Sequence, residues 1–142
     1  NNGIGGGIII DGKISADLIN AEPGQMVLEH QGKIKRWEDI ASGRALVARF
    51  GKKASEQDDP AVWKEFAHDI AKGLEHVLAV IQPEVVIIGG SVGNHFSKYG
   101  DFLKDELKKL ENDMVRIPPV MQAERAEEAV IYGCYEYIKQ HG

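Results

Sequence analysis

The sequence predicts an α/β fold built on a mixed sheet, with an N-terminal antiparallel meander and helical crossovers. Three observations predict this class. The apolar run at 8–10 passes into Asp11-Gly12, a dipeptide typical of two-residue hairpin turns. A helical repeat of apolar residues covers 60–81. The all-apolar stretch 85–88 that follows is typical of a strand covered on both faces of a sheet.

The elements before the long helix are predicted from local composition. They are a return strand at 13–15, a third strand at 25–30, a polar turn at 31–33 and a short helix or helix entry at 37–43. A helix at 44–50 follows, and Gly51 stops it. Residues 55–59 form a polar linker.

The long helix has clear start and stop signals. Asp59 is a good N-cap and Pro60 suits the first helical position, whereas Gln82-Pro83 ends the pattern. The apolar stripe recurs every three or four residues, at Val62, Phe66, Ile70, Leu74, Val77, Leu78 and Ile81. Trp63 lies off this stripe, so we expect it to meet another domain or a dimer partner.

A glycine turn follows the apolar strand. Gly89, Gly90 and Ser91 stand at the carboxyl end of 85–88, which is where α/β folds bind ligands. The remaining predicted elements are a helix with Phe102, Leu103, Leu107 and Leu110, a strand at 115–117 stopped by Pro118-Pro119, and a final helix at 124–140. This order resembles one half of the actin-like ATPase (ribonuclease H-like) fold.

Composition excludes several classes of protein. The 142 residues carry a net charge of −5 without a basic cluster, so direct contact with nucleic acid is not expected. Cys134 is the only cysteine, so the chain forms neither an internal disulfide nor a cysteine zinc site, and we expect a cytoplasmic protein. We find no predicted membrane span or signal peptide. The chain starts without Met in a glycine run, and we expect it to be a piece of a longer one.

The glycine run at 3–7 predicts a phosphate site. Glycine has no Cβ, so backbone N–H groups can approach a phosphate closely. The spacing is not that of a Rossmann fingerprint, because a hairpin rather than a helix follows, and no Gly-Lys-Ser/Thr of a P-loop is present. The alternative is a tightly packed strand entry without a ligand.

Two glycine motifs about 80 residues apart resemble the nucleotide site of the ROK family of sugar kinases and repressors. Asn2-Gly3-Ile4-Gly5-Gly6-Gly7 is similar to the family's phosphate hairpin, with Asn2 in place of Thr, and Ile88-Gly89-Gly90 is similar to its adenosine motif. The resemblance covers nearly all of 1–142 but about half of a family member. It implies that ATP with Mg²⁺ is bound by Asn2, Gly3, Gly5, Gly6, Gly7, Gly89, Gly90 and Ser91.

Two further motifs resemble the sugar site of the family. Glu22-Pro23-Gly24-Gln25 is similar to E-x-G-H, and the segment 37–43 is similar to L-E-x-x-A-S-G. The resemblance implies that Glu22, Gln25 and Glu38 bind the sugar; carboxylates suit hydroxyls because they only accept hydrogen bonds. The alternatives are a solvated turn for Glu22 and a helix-dipole charge for Glu38. Gln25 replaces a zinc-binding His and the cysteine cluster is missing, so no zinc is expected.

The resemblance implies the C-terminal, nucleotide- and sugar-binding half of an ATP-dependent sugar kinase acting on a hexose hydroxyl. The general-base Asp and D-x-G-G-T belong to the N-terminal half, which is absent, so the isolated chain is expected to be inactive. One alternative is the sugar-sensing domain of a ROK-type repressor, which needs an upstream DNA-binding domain. Another is an unrelated α/β binding module. A homodimer through the amphipathic last helix is left open.

Overall fold

The computed structural model describes residues 23–113 and 115–123, together with the backbone of 9–10 and 13–14. The elements in chain order are β1 (Ile9–Ile10), β2 (Lys13–Ile14), β3 (Val27–His30), β4 (Lys33–Arg36), α1 (Glu38–Ala41), α2 (Gly43–Phe50), α3 (Pro60–Ile81), β5 (Val86–Ile88), α4 (Gly90–Gly93), α5 (Phe96–Lys108) and β6 (Val120–Gln122). Short 3-10 helices lie at Pro23–Gln25 and Ala54–Glu56, the second overlapping the predicted linker. The predicted helix at 124–140 lies outside the described residues.

Two antiparallel hairpins begin the chain. β1 and β2 pair Ile10 with Lys13, so two residues connect them, which confirms the predicted hairpin. β3 and β4 pair His30 with Lys33 around Gln31 and Gly32, whose φ values are +52° and +79°. Two consecutive positive φ values match the right-handed twist of the paired strands.

β4 was not predicted. The polar turn at 31–33 is confirmed in position, but Lys33 already belongs to the strand. All four residues of Lys33–Arg36 are exposed, so this strand has no alternation of apolar and polar residues that would reveal it. It is held by its pairing with β3, where Leu28 and His30 point inward.

β5 and β6 form a parallel pair of strands. β5 pairs with β6, with Val86 opposite Val120, and α4 and α5 form the crossover. The predicted strand at 115–117 is wrong, because the strand begins only after Pro118 and Pro119. Val115 instead closes a turn with Asn112, and the Pro119 carbonyl accepts a hydrogen bond from Val86 N at 2.9 Å. A proline nitrogen cannot donate, which confines it to a strand edge.

The core lies between α3 and α5. Phe66, Tyr99 and Leu103 are fully buried there. Trp63 is 2% exposed, stacks on Tyr99 with ring centroids 5.7 Å apart, and donates from Nε1 to the Gln57 carbonyl at 2.8 Å. The expectation that Trp63 meets another domain is therefore wrong, because α5 covers that side of α3.

The helix ends behave as the sequence indicates. Asp59 Oδ1 accepts from Ala61 N at 2.9 Å, and Gln82 with φ +52° follows the last residue of α3. Gly51, with φ +77°, ends α2. The bounds of α3 and the stop of α2 are confirmed. No helix among the described residues has both the length and the apolar character that crossing a membrane requires.

Candidate functional site

Two of the three predicted sugar residues lie side by side. Gln25 ends the first 3-10 helix and Glu38 begins α1, and Gln25 Nε2 donates to Glu38 Oε1 at 2.8 Å. The backbone brings them together, because Trp37 N donates to the Met26 carbonyl at 2.8 Å. Gln25 is exposed and Glu38 is half-buried. Glu22 lies outside the described residues, and its role stays a prediction.

Arg36 completes this polar cluster. Its Nη1 donates to Gln25 Oε1 at 3.1 Å, and its Nε donates to Asp39 Oδ2 at 3.1 Å. The hydrogen bond to Asp39 raises the pKa of the Arg36 guanidinium above its usual value. The sequence analysis missed Arg36. The three-residue spacing to Asp39 is a signal that could have revealed the ion pair.

Trp37 anchors the segment that carries Glu38. Its indole packs against Gly73 of α3, where an added Cβ would overlap ring atoms Cδ2, Cε2 and Nε1. Nε1 also donates to the Asp69 carbonyl at 3.1 Å. Trp37 is 5% exposed, so the start of α1 is attached to the core by a buried side chain. The position of Glu38 therefore depends on the fit between Trp37 and Gly73.

A charge pair with a buried carboxylate stabilises the same region. Arg49 Nη1 donates to Asp69 Oδ2 at 2.7 Å and to the Ile40 carbonyl at 2.6 Å. Asp69 is 2% exposed, and His30 Nε2 lies 3.4 Å from Arg49 Nη2. Burial lowers the pKa of His30 below its usual value, although the Asp69 carboxylate acts in the opposite direction. This pair links β3, α1, α2 and α3.

The glycine turn after β5 lies next to the start of α2. Gly90 has φ +71°, a conformation that glycine adopts without strain. A Cβ on Gly93 would come within 2.5 Å of the Ile88 carbonyl oxygen, so α4 must pass very close to β5. A Cβ on Gly43 would lie 2.8 Å from Ser91 Oγ. The segment that follows Glu38 therefore approaches Ser91, directly after the predicted adenosine motif.

A cleft of about 310 Å³ opens beside this contact. Val47 and Val92 contribute exposed apolar surface, whereas the polar lining comes from Arg44, Lys53, Ser55, Ser91 and His95. An apolar floor with cationic side chains around it has the chemistry to hold a planar base and an anionic tail. Of the predicted nucleotide residues, Ser91 lines this cleft, and Gly89 and Gly90 precede it. Asn2, Gly3, Gly5, Gly6 and Gly7 lie outside the described residues.

The residues present do not fit the zinc site that is usual in the resembled family. Gln25 has both ends of its amide hydrogen-bonded to Arg36 and Glu38, and the β3–β4 hairpin contains no cysteine. Among residues 23–113 and 115–123, no three His, Cys, Asp or Glu side chains are grouped so as to hold a metal ion. The absence of zinc remains a prediction.

Comparison with known proteins identifies the family. The α/β architecture, with its small sheets, is shared with solved sugar kinases. The family model described as "ROK family" matches residues 1–141. The chain therefore belongs to the ROK family, as its glycine and glutamate motifs predict.

Individual relatives cover the chain to different extents. The Bacillus subtilis (strain 168) protein named "Putative fructokinase" is 35% identical over 101 residues, which are 63% of this chain and 34% of that protein. A ROK family glucokinase from Streptomyces griseus, solved with glucose and AMPPNP, is 22% identical with a TM-score of 0.73, covering 97% of this chain and 58% of its own. An inorganic polyphosphate/ATP-glucomannokinase from Arthrobacter sp. strain KM is 28% identical with a TM-score of 0.58, covering 99% and 45%.

The chain is short beside these proteins. The matched part is about a third of the Bacillus subtilis protein and about half of the two solved kinases. The low sequence identity to the Streptomyces enzyme means that this likeness shows a shared fold.

Proposed function

We propose that this chain is the nucleotide- and sugar-binding half of an ATP-dependent sugar kinase that phosphorylates a hexose hydroxyl. The observation that carries this proposal is the contact between Gly43 and Ser91. Phosphoryl transfer requires the acceptor hydroxyl and the phosphate donor to be held next to each other. Glu38 begins α1 and Gly43 begins α2, so the few residues between them join the sugar side to the nucleotide side.

The nucleotide occupies the cleft beside Ser91 in this proposal. The adenosine lies on the apolar floor and against the backbone of Gly89 and Gly90, with ATP carried as its magnesium complex. Arg44 and Lys53 offer positive charge toward the phosphates. The glycine run at 3–7 takes the outer phosphates. The general-base Asp comes from the N-terminal half, so the isolated 142 residues are inactive.

The proposal is tested by a coupled assay of ADP release from the full-length protein that contains this chain. Magnesium–ATP is supplied with glucose, fructose or mannose in turn. We expect one of these hexoses to stimulate ADP release. Glu38→Gln removes a charged acceptor, so kcat/KM for that hexose should fall about 10- to 150-fold.

Glu75→Gln is the matched control, because Glu75 is an exposed carboxylate on α3 outside the polar cluster. It should leave kcat/KM unchanged. Hexose binding in calorimetry without any ADP release would contradict the kinase and favour the sugar-sensing domain of a repressor. An equal loss in Glu38→Gln and Glu75→Gln would contradict the assignment of Glu38.

A further inference from the structure

The amide of Gln25 is held in one orientation by Arg36. A guanidinium carries five N–H donors and no acceptor, so only the oxygen of an amide can hydrogen-bond to it. Arg36 Nη1 lies 3.1 Å from Gln25 Oε1, and the amide nitrogen consequently faces Glu38 at 2.8 Å. A flipped amide would place the Gln25 oxygen against the Glu38 carboxylate, where both atoms are acceptors. It would also place the Gln25 NH₂ group against the donors of Arg36.

Arg36 is itself held firmly enough to do this. Asp39 accepts from Nε at 3.1 Å and from Nη2 at 3.4 Å, which is the two-point geometry that guanidinium and carboxylate favour. Asp39 also accepts from Arg44 at 3.0 Å. Arg36 Nη1 remains 3.6 Å from Glu38 Oε1, close enough to add to the field at that carboxylate.

Among the described residues, the cluster leaves one donor and one acceptor unused. Gln25 uses one amide N–H on Glu38 and has the second left over, and Glu38 uses Oε1 on Gln25 and has Oε2 left over. Gln25 is exposed and the Glu38 side chain is 14% exposed, so the pair borders the solvent from which a ligand would approach. A donor beside an acceptor matches two hydroxyls on neighbouring carbon atoms, where one hydroxyl accepts and the other donates.

We propose that Arg36 is a positioning residue that fixes the amide of Gln25, so that this site selects a sugar with two hydroxyls on adjacent carbons. This inference rests on the proposed sugar kinase function. It adds a residue that sets hydroxyl selectivity beside the β3–β4 hairpin, which contains no cysteine.

The test compares Arg36→Met with Lys35→Met in the full-length protein. Both substitutions remove one positive charge from the same exposed strand, but only Arg36 contacts Gln25. Initial rates are measured with the preferred hexose and with its monodeoxy analogues. We expect Arg36→Met to raise KM for the hexose about tenfold, as for one lost hydrogen bond, while KM for magnesium–ATP and the thermal midpoint match those of Lys35→Met.

Discrimination against deoxy sugars separates positioning from a structural effect. The wild type should reject the analogue that lacks either adjacent hydroxyl, and Arg36→Met should lose most of that preference. Arg36→Lys keeps one donor and should restore part of it. If Arg36→Met lowers the thermal midpoint, Gln25→Glu is the second variant, because it places an acceptor where the free N–H was and should abolish the same preference.

Each outcome of these measurements supports or overturns the inference. Equal hexose KM values and equal deoxy-sugar preference in Arg36→Met and Lys35→Met would overturn the inference while the kinase stands. Retained preference in Gln25→Glu would overturn it as well. A wild-type protein that phosphorylates no hexose would overturn the proposed function, and this inference with it.

Discussion

Replacing Gly73 with alanine should destabilise the protein although alanine is the better helix former. The new Cβ would overlap three ring atoms of Trp37. The indole is 5% exposed and tied to the Asp69 carbonyl, so it has no free space to enter. Overpacking costs about 3 kcal/mol at the upper end of its usual range, and strain in the Trp37–Asp69 hydrogen bond costs about 1 kcal/mol. The better helix propensity of alanine offsets about 1 kcal/mol of this. The net loss is about 3 kcal/mol.

Thermal unfolding of the full-length protein measures this loss. For a domain of roughly 150–250 residues, each kcal/mol shifts the midpoint by about 2–4 °C, so we expect a drop of about 6–12 °C. KM for the hexose should rise as well, because Trp37 directly precedes Glu38.

A Trp37→Val background provides the control for this prediction. Valine ends at its Cγ atoms and so removes all three atoms that the Cβ would overlap. In that background Gly73→Ala should be neutral or stabilise by up to about 1 kcal/mol, through helix propensity alone. The same destabilisation in both backgrounds would refute the packing argument.

Three further predictions concern the glycine turn, pH and a helix cap. Gly93→Ala pushes a Cβ against the Ile88 carbonyl oxygen and should lower the thermal midpoint more than Gly90→Ala, which meets open space and costs only about 1–2 kcal/mol of backbone strain; equal midpoints would contradict this. In the unfolded chain His30 takes up a proton near pH 6.5, whereas its pKa is lower in the folded protein. The free energy of unfolding should therefore fall as pH drops below 6.5, and His30→Gln should flatten this pH dependence in urea unfolding. Asp59→Ala removes the cap of α3 and should cost about 1 kcal/mol in the same assay, with an unchanged midpoint as the contrary result.

The long helix shows what local signals predict well. The cap at Asp59, the apolar stripe and the stop at Gln82 all lie within the chain segment itself, so the bounds of α3 follow from sequence. Gln25 and Glu38 were assigned to one sugar site from family motifs and not from spacing, because the 12 residues between them include a hairpin. Tertiary structure alone brings those two side chains within 2.8 Å.

The errors have physical causes that lie outside local sequence. β4 has four exposed residues, so no buried face marks it in the sequence, and its pairing with β3 appears only in the folded chain. Val115–Ile117 has strand-forming residues, but the parallel ladder with β5 begins after the prolines. Trp63 lies off the apolar stripe of α3 but is still buried. The reason is that α5 covers this side of the helix and Tyr99 stacks on the Trp63 ring. Gly73 is a detectable signal for the packing of Trp37 on α3, since a glycine inside a helix often marks the close approach of another group.

The most direct test is a crystal structure of the full-length protein with its preferred hexose and the non-hydrolysable analogue AMPPNP. The account predicts two adjacent sugar hydroxyls about 3 Å from Gln25 Nε2 and Glu38 Oε2. It also predicts the adenine in the cleft beside Gly43 and Ser91. A hexose bound away from Glu38, or an adenine outside that cleft, would contradict it.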